Sequence, residues 1–329
     1  MIERLEMTNT NESLTNIDSV DLYVNYVCGL RCNHCFVGEQ LNSNIEMPLA
    51  LAKSIVEQSK AKGVKTITLL GGEPTLYSEI IALINYIIDI QIEVRIVTNG
   101  QKSFQNIISK LPQAILYRLH ICFSIDGSTS TIHDFIRGKG VFSNLIKSIN
   151  LAQSKNISFS GITSISKDNY HDAFSIITLC SSLNLKYLNV HYITDRGFAK
   201  NNKVVSVHDW MQLCKALEGY NANIPIRIEK TFVPFTEKVN CEVTKKANII
   251  IDPSGKIYGC TMFMNFENIE SGTWTSNGIK MNNNAKNENC VCKDTSNGCP
   301  AMPLINNGIV SSANSENLKV DCIFNKTTI

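Results

Sequence analysis

Charge is sparse in this chain and nearly balanced. Asp, Glu, Lys and Arg make up 18% of 329 residues, and 31 basic against 29 acidic groups leave a formal net charge of +2. That balance provides no electrostatic footprint for nucleic acid or an anionic membrane. Long apolar runs are also missing. No stretch reaches the roughly 18 apolar residues of a membrane-spanning helix. The first twenty residues carry acidic groups and lack the apolar centre of a signal peptide, so a cytoplasmic location is expected. The length suits one large domain plus a smaller one, or a single barrel.

Cysteine, by contrast, is abundant. Twelve cysteines without a secretion signal read as metal or redox chemistry, not as disulfides. Cys28, Cys32 and Cys35 form one cluster. Cys241, Cys260, Cys290, Cys292, Cys299 and Cys322 lie in the last third, and Cys122, Cys180 and Cys214 stand alone.

Residues 1–19 read as a loose arm. From there apolar runs alternate with helical periodicity. Strands are expected at Asp21–Val27, Thr66–Leu70, Glu93–Thr98, Leu119–Ile125, Phe159–Ile165 and Tyr187–Ile193. Helices are expected at Leu49–Ala61, Ser78–Ile88, Phe104–Leu111, Phe142–Ser154 and Tyr170–Leu183. Repeated strand–helix units imply a parallel α/β sheet with right-handed crossovers, and periodicity alone permits an open sheet or a partial barrel. A linking helix region over 201–225 follows, with a helix near Val207–Leu217. Short β-like runs come next, and from about Glu267 the chain is poor in core formers. Clustered cysteines and a metal would hold such a segment in shape.

Cys28-Gly-Leu-Arg-Cys32-Asn-His-Cys35 sits just after the first expected strand. A four-iron, four-sulfur cluster ordinarily takes four thiolates, so three leave one iron open to a ligand. Spacing alone also permits a zinc site completed from elsewhere, for instance by His34.

The triplet resembles the radical S-adenosylmethionine superfamily, and four further stretches agree with it in order. Gly71-Gly72-Glu73-Pro74, Thr98-Asn99-Gly100, Ser124-Ile125-Asp126-Gly127 and His133-Asp134-Phe135-Ile136-Arg137-Gly138 are similar to its GGEP, TNG, SxDG and HDxxRG segments. Position 34 departs from the pattern, with His where the family usually has an aromatic. Parallel α/β folds place their sites at strand C-terminal ends, where these motifs fall.

The resemblance covers roughly residues 21–200 and implies a partial (β/α)6 barrel over 20–200 with a small cysteine-rich α+β iron–sulfur domain over 226–329. Cys28, Cys32 and Cys35 would ligate a [4Fe–4S] cluster whose open iron chelates the methionine part of S-adenosylmethionine. Gly71, Gly72, Glu73 and Pro74 would meet the methionine amine, with Glu73 accepting from it. Asn99 and Ser124 would bind ribose or carboxylate, Asp126 would line the same site, and Arg137 would pair with the methionine carboxylate. The implied activity is reductive cleavage to a 5′-deoxyadenosyl radical that abstracts hydrogen from substrate, with flavodoxin or ferredoxin as electron donor.

Cys241, Gly255 and Cys260 resemble the opening of the SPASM and twitch extensions, which carry auxiliary iron–sulfur clusters. The rest departs from that pattern: Cys290-Val-Cys292 is spaced short, one middle cysteine is absent, and Cys299 and Cys322 follow. One or two auxiliary clusters, or a structural zinc knuckle, remain open. Cys122 shares the parity of Ser124 on its strand, so its thiol is a candidate hydrogen-atom donor or a small buried residue.

The HDxxRG stretch and the cysteine-rich tail resemble maturases of ribosomally made peptides, which cross-link residues or invert α-carbons. The early first strand leaves no room for a separate leader-binding domain, so a second protein or the barrel edge would recognise a leader. A small-molecule dehydrogenase of the same chemistry and a non-catalytic iron–sulfur or zinc scaffold are the alternatives.

Overall fold

The structure is a computed structural model and describes residues 18–199, 203–229, 248–259, 261, 264, 270, 272–275 and 278–281. Strands β1 (Ser19–Asn25), β2 (Thr66–Gly71), β3 (Glu93–Thr98), β4 (Leu119–Ser124), β5 (Ser158–Ile165), β6 (Leu188–Tyr192) and β7 (Ile226–Ile228) pair in chain order, all parallel. The crossovers carry helices α1 (Leu49–Ala61), α2 (Ile80–Asp89), α3 (Lys102–Lys110), α4 (Gln113–Leu116), α5 (Ser130–Arg137), α6 (Val141–Ser154), α7 (Ala173–Ser182) and α8 (Val207–Glu218). This is the partial barrel that the motifs implied.

Register sorts the side chains into two layers. Leu22, Leu69, Ile96, Ile121 and Phe159 are partners in one row and are buried beneath the helices. Burying each such side chain contributes roughly 1.5–3 kcal/mol. Phe123 on the same side packs edge-on against Phe104 of α3 at 5.2 Å. The opposite row is polar: Asp21, Thr68, Arg95, His120 and Ser158 are partners across β1 to β5 and face the barrel interior.

The strand expectations stand within two residues at each end. Helices α4 and α5 lie where no element was expected. The placement of two later strands needs correction. Ile226–Ile228, assigned to the start of the C-terminal domain, is edge strand β7 beside β6. Strand β8 (Asn248–Ile251) runs parallel to β1 on the other edge. Strands β9 (Lys256–Tyr258), β10 (Gly272–Thr275) and β11 (Gly278–Met281) continue that edge antiparallel. All the named strands therefore belong to one sheet. The β10–β11 hairpin falls in a stretch with few core formers, and the buried Trp274, with Ile279 packed against the core, anchors it. No helix among the described residues is long and apolar enough to cross a membrane.

Candidate radical site at the strand C-terminal ends

The cysteine loop leaves β1 and is pinned from three sides. Asn33 N–H donates to Ile136 O at 3.0 Å, and its Nδ2 donates to Asp168 at 3.1 Å. Phe198 N–H donates to Cys35 O at 2.9 Å. Glu73 N–H donates to Val27 O at 2.8 Å, which ties the glycine loop to the stem of the cysteine loop. The two glycines permit that approach. A methyl at Gly72 would stand 2.5 Å from Val27 O, and one at Gly71 2.4 Å from Asn25 Oδ1. What crowds these positions is the chain's own backbone with the side chains of Asn25 and Leu41.

Cys28, Cys32 and Cys35 are free thiols, Cys32 buried and the others half-buried. Donors point at the sulfurs. Leu30 N–H lies 3.4 Å from Cys28 Sγ, Asn99 Nδ2 4.0 Å from Cys28 Sγ, and Arg137 Nη1 4.0 Å from Cys32 Sγ. Burial pushes the Cys28 thiol up to about 12 and the Cys32 thiol up to about 11, with Arg137 pulling Cys32 the other way. Thiols this buried need a cation to ionise, and iron would supply it. Among the described residues no three His, Cys, Asp or Glu side chains close on one metal ion. A four-iron cluster binds each thiolate to its own iron, so it fits a set spaced more widely. The donor set and the N–H groups directed at it fit such a cluster.

Two expectations change with the side-chain contacts. Glu73 was assigned to the methionine amine, yet its carboxylate is fully buried and already taken. Oε1 accepts from Thr75 N–H, Thr75 Oγ1 and Thr98 Oγ1 at 3.2, 2.6 and 2.7 Å, and Oε2 from Asn99 N–H at 2.8 Å. Burial raises its pKa against those donors. Glu73 thus fixes the Thr98-Asn99-Gly100 turn in place, with Asn99 Nδ2 directed at Cys28 Sγ.

Arg137 was assigned to the methionine carboxylate, yet its Nε donates to Asp126 Oδ2. Asp126 is wholly buried and also meets His34 Nε2 at 3.2 Å and Ser164 N–H at 2.8 Å. Burial alone would raise the Asp126 pKa; Arg137, then His34, outweigh it and hold the carboxyl well below the usual range. A charge removed from water needs a partner, and Arg137 provides it. His133 accepts from Asp126 N–H through Nδ1 at 3.2 Å, and Asn169 Nδ2 donates to Asp126 O at 3.1 Å. Ser124 is buried at the end of β4. Cys122 lies one turn of the pleat below it, buried beside Ser160, its thiol pushed up to about 11 by burial.

Residues 22–180 match the Radical SAM superfamily. This stretch is a radical SAM domain. The chain is 25% identical over 226 residues to the AdoMet-dependent heme synthase of Methanosarcina barkeri, covering 68% of this chain and 64% of that protein. It is 28% identical over 138 residues to the mycofactocin maturase MftC of Mycolicibacterium smegmatis, covering 42% of this chain and 33% of the maturase. The chain thus matches under two thirds of the length of either relative. Its fold is similar to that of Streptococcus suis SuiB, solved bound to S-adenosylmethionine, with a TM-score of 0.65 and 21% identity over 78% of this chain and 63% of SuiB.

Within the radical SAM domain, the structure brings Cys28, Cys32, Gly72, Glu73, Asn99, Asp126 and Arg137 together at the strand ends. Sequence reading missed His34, Asn33, His133 and Asn169 as the group that holds this site. The His at position 34 was visible as a departure, and its contact with Asp126 explains it. Cys241, Cys260, Cys290, Cys292, Cys299 and Cys322 lie outside the described residues.

Proposed function

We propose that the chain is a radical S-adenosylmethionine enzyme that modifies a ribosomally made peptide, by cross-linking or α-carbon inversion. The observation that carries the chemistry is the trio of thiols at the end of β1, Cys32 buried and the others half-buried, with Asn99, Leu30 and Arg137 donors aimed at two of their sulfurs. A [4Fe–4S] cluster with S-adenosylmethionine, when bound there, supplies one-electron cleavage and hydrogen-atom abstraction. Cys28, Cys32 and Cys35 would ligate the cluster. Gly71, Gly72, Pro74, Asn99 and Ser124 would contact the cofactor, while Glu73, Asp126 and Arg137 hold their loops. Similarity to a mycofactocin maturase and the fold shared with SuiB, which has also been solved bound to its precursor peptide SuiA, support a peptide substrate. A flavodoxin or ferredoxin would supply electrons, and a separate protein could present a leader.

Cys122 is the candidate hydrogen-atom donor of an inverting enzyme, since burial keeps it a thiol. The six cysteines from Cys241 onward would hold one or two auxiliary clusters. The longer match to a heme synthase supports a second reading, a small-molecule substrate for the same chemistry.

The test is anaerobic reconstitution with iron and sulfide, then an assay of 5′-deoxyadenosine release under a strong reductant. Wild type should release it, and a variant with Cys28, Cys32 and Cys35 all changed to Ala should not. Iron left in that variant counts the auxiliary clusters, about eight per chain for two and about four for one. A full iron complement with no deoxyadenosine would sink the radical reading. A short open reading frame beside the gene separates peptide from small molecule, and a mass change on that peptide decides it.

A further inference from the structure

The far end of the barrel carries a second site that the radical chemistry does not use. A cavity of about 630 Å³ opens at the N-terminal ends of β3 to β7. Its lining includes Arg95, Arg118, Lys186 and Arg227, against Glu93 as the one carboxylate. The four cations come from separate parts of the fold: Arg95 from β3, Arg118 just before β4, Lys186 just before β6 and Arg227 from β7. They converge although the whole chain is nearly neutral.

The interior wall is built from paired groups. His120 Nδ1 meets Ser158 Oγ at 2.8 Å, and its Nε2 meets Ser160 Oγ at 2.8 Å and the Tyr187 hydroxyl at 3.1 Å. The Tyr187 ring stacks on His120, and the Arg227 guanidinium lies 3.7 Å from the centre of the Tyr187 ring. Arg227 is thereby held as a flat, oriented fork. Arg95, the partner of His120 in the register, has a buried Nε with no hydrogen-bond partner. An unmatched guanidinium nitrogen beside three further cations is a site short of an acceptor. The histidine reports the same field: burial first, then Arg95, Lys186 and Arg227, lower its pKa to about 4.

We infer that this mouth of the barrel binds an oxyanion, the carboxylate or phosphate group of a ligand gripped between Arg95 and Arg227. Planar guanidinium forks suit such groups. The site lies about 13 Å from the strand ends, four residues along β4 at about 3.3 Å each. The same chemistry can arrive as a free small anion or as an acidic peptide segment.

The experiment uses the full-length reconstituted protein at physiological ionic strength, with inorganic pyrophosphate and hexaglutamate as the two probes. Binding is measured by calorimetry for wild type, Arg95→Gln, Arg227→Gln and, as a control, Lys147→Gln on the exposed face of α6. We expect at least one probe to bind wild type and the control equally, and either arginine change to weaken it about tenfold or more. Pyrophosphate alone would mean a free anion, hexaglutamate alone an acidic segment. A second readout is the imidazole resonance of His120, which bound anion should shift towards the protonated form at pH 5 to 6. No binding of either probe, equal binding by the arginine variants, or an unmoved His120 resonance in a folded protein would overturn the inference. None of these readouts depends on radical activity.

Discussion

At the scale of single residues, the candidate site is held by buried charge. Asp126 has no solvent contact and relies on Arg137, His34 and the Ser164 amide. Asp126→Asn keeps the shape and removes the charge, leaving Arg137 buried without its partner. That should cost about 3–5 kcal/mol, read as a lower denaturant midpoint in the unloaded protein. A change under about 0.5 kcal/mol would mean that water or another carboxylate serves Arg137. Glu73→Gln puts an amide NH2 among four donors and should cost about 1–3 kcal/mol, with loss of iron retention as the turn carrying Asn99 loosens. The motifs singled out both residues, and both lie at the strand C-terminal ends. They did not show which way the side chains point, because spacing along a chain carries no information on burial. Arg137 and Asp126 were both expected to face ligand; burial turns them towards each other.

At the scale of elements, apolar runs bounded by turn signals made β1 and the other strands from β2 to β6 legible. The edges were not legible. Ile226–Ile228 and Asn248–Ile251 are short apolar runs whose partners lie far away in sequence, so nothing local assigns them to β6 and β1. The loop after β6 was equally silent, although it clamps the cysteines. Gly197 has φ +54°, and a methyl there would stand 2.2 Å from Cys35 O and 2.6 Å from Phe36 O. Both neighbours are backbone, so they yield only if the cysteine loop moves. Gly197→Ala should therefore lower iron per chain after reconstitution while the far-ultraviolet circular dichroism stays that of wild type. Full iron loading in that variant would show that the loop after β6 gives way instead.

At the scale of the whole molecule, acid should loosen the fold in two separable parts. His133 is fully buried, and burial followed by Arg137 lowers its pKa to about 4; His120 is lowered to about 4 by burial and its three cations. A histidine near 6.5 when unfolded and near 4 when folded takes up protons first in the unfolded chain. Its stabilising contribution is therefore complete above about pH 6.5 and is lost as pH falls towards 4. For His133 the loss between pH 7 and pH 5 should be about 2 kcal/mol, and His133→Gln should flatten that part of the pH profile. His120 is partly open to solvent, so its share is smaller and salt should shrink it by screening Arg95, Lys186 and Arg227. His133 is on the buried face of α5 with no such route for ions, and its share should survive at high salt. Asp126, with its depressed pKa, adds a further loss only below the ordinary carboxylate range, under about pH 4. Denaturant midpoints measured from pH 7 to pH 4 at low and high salt separate these parts. A wild-type profile flat from pH 7 to pH 5, or an unchanged slope in His133→Gln, would show that the interior protonates without cost and that Arg137 does not hold His133 neutral.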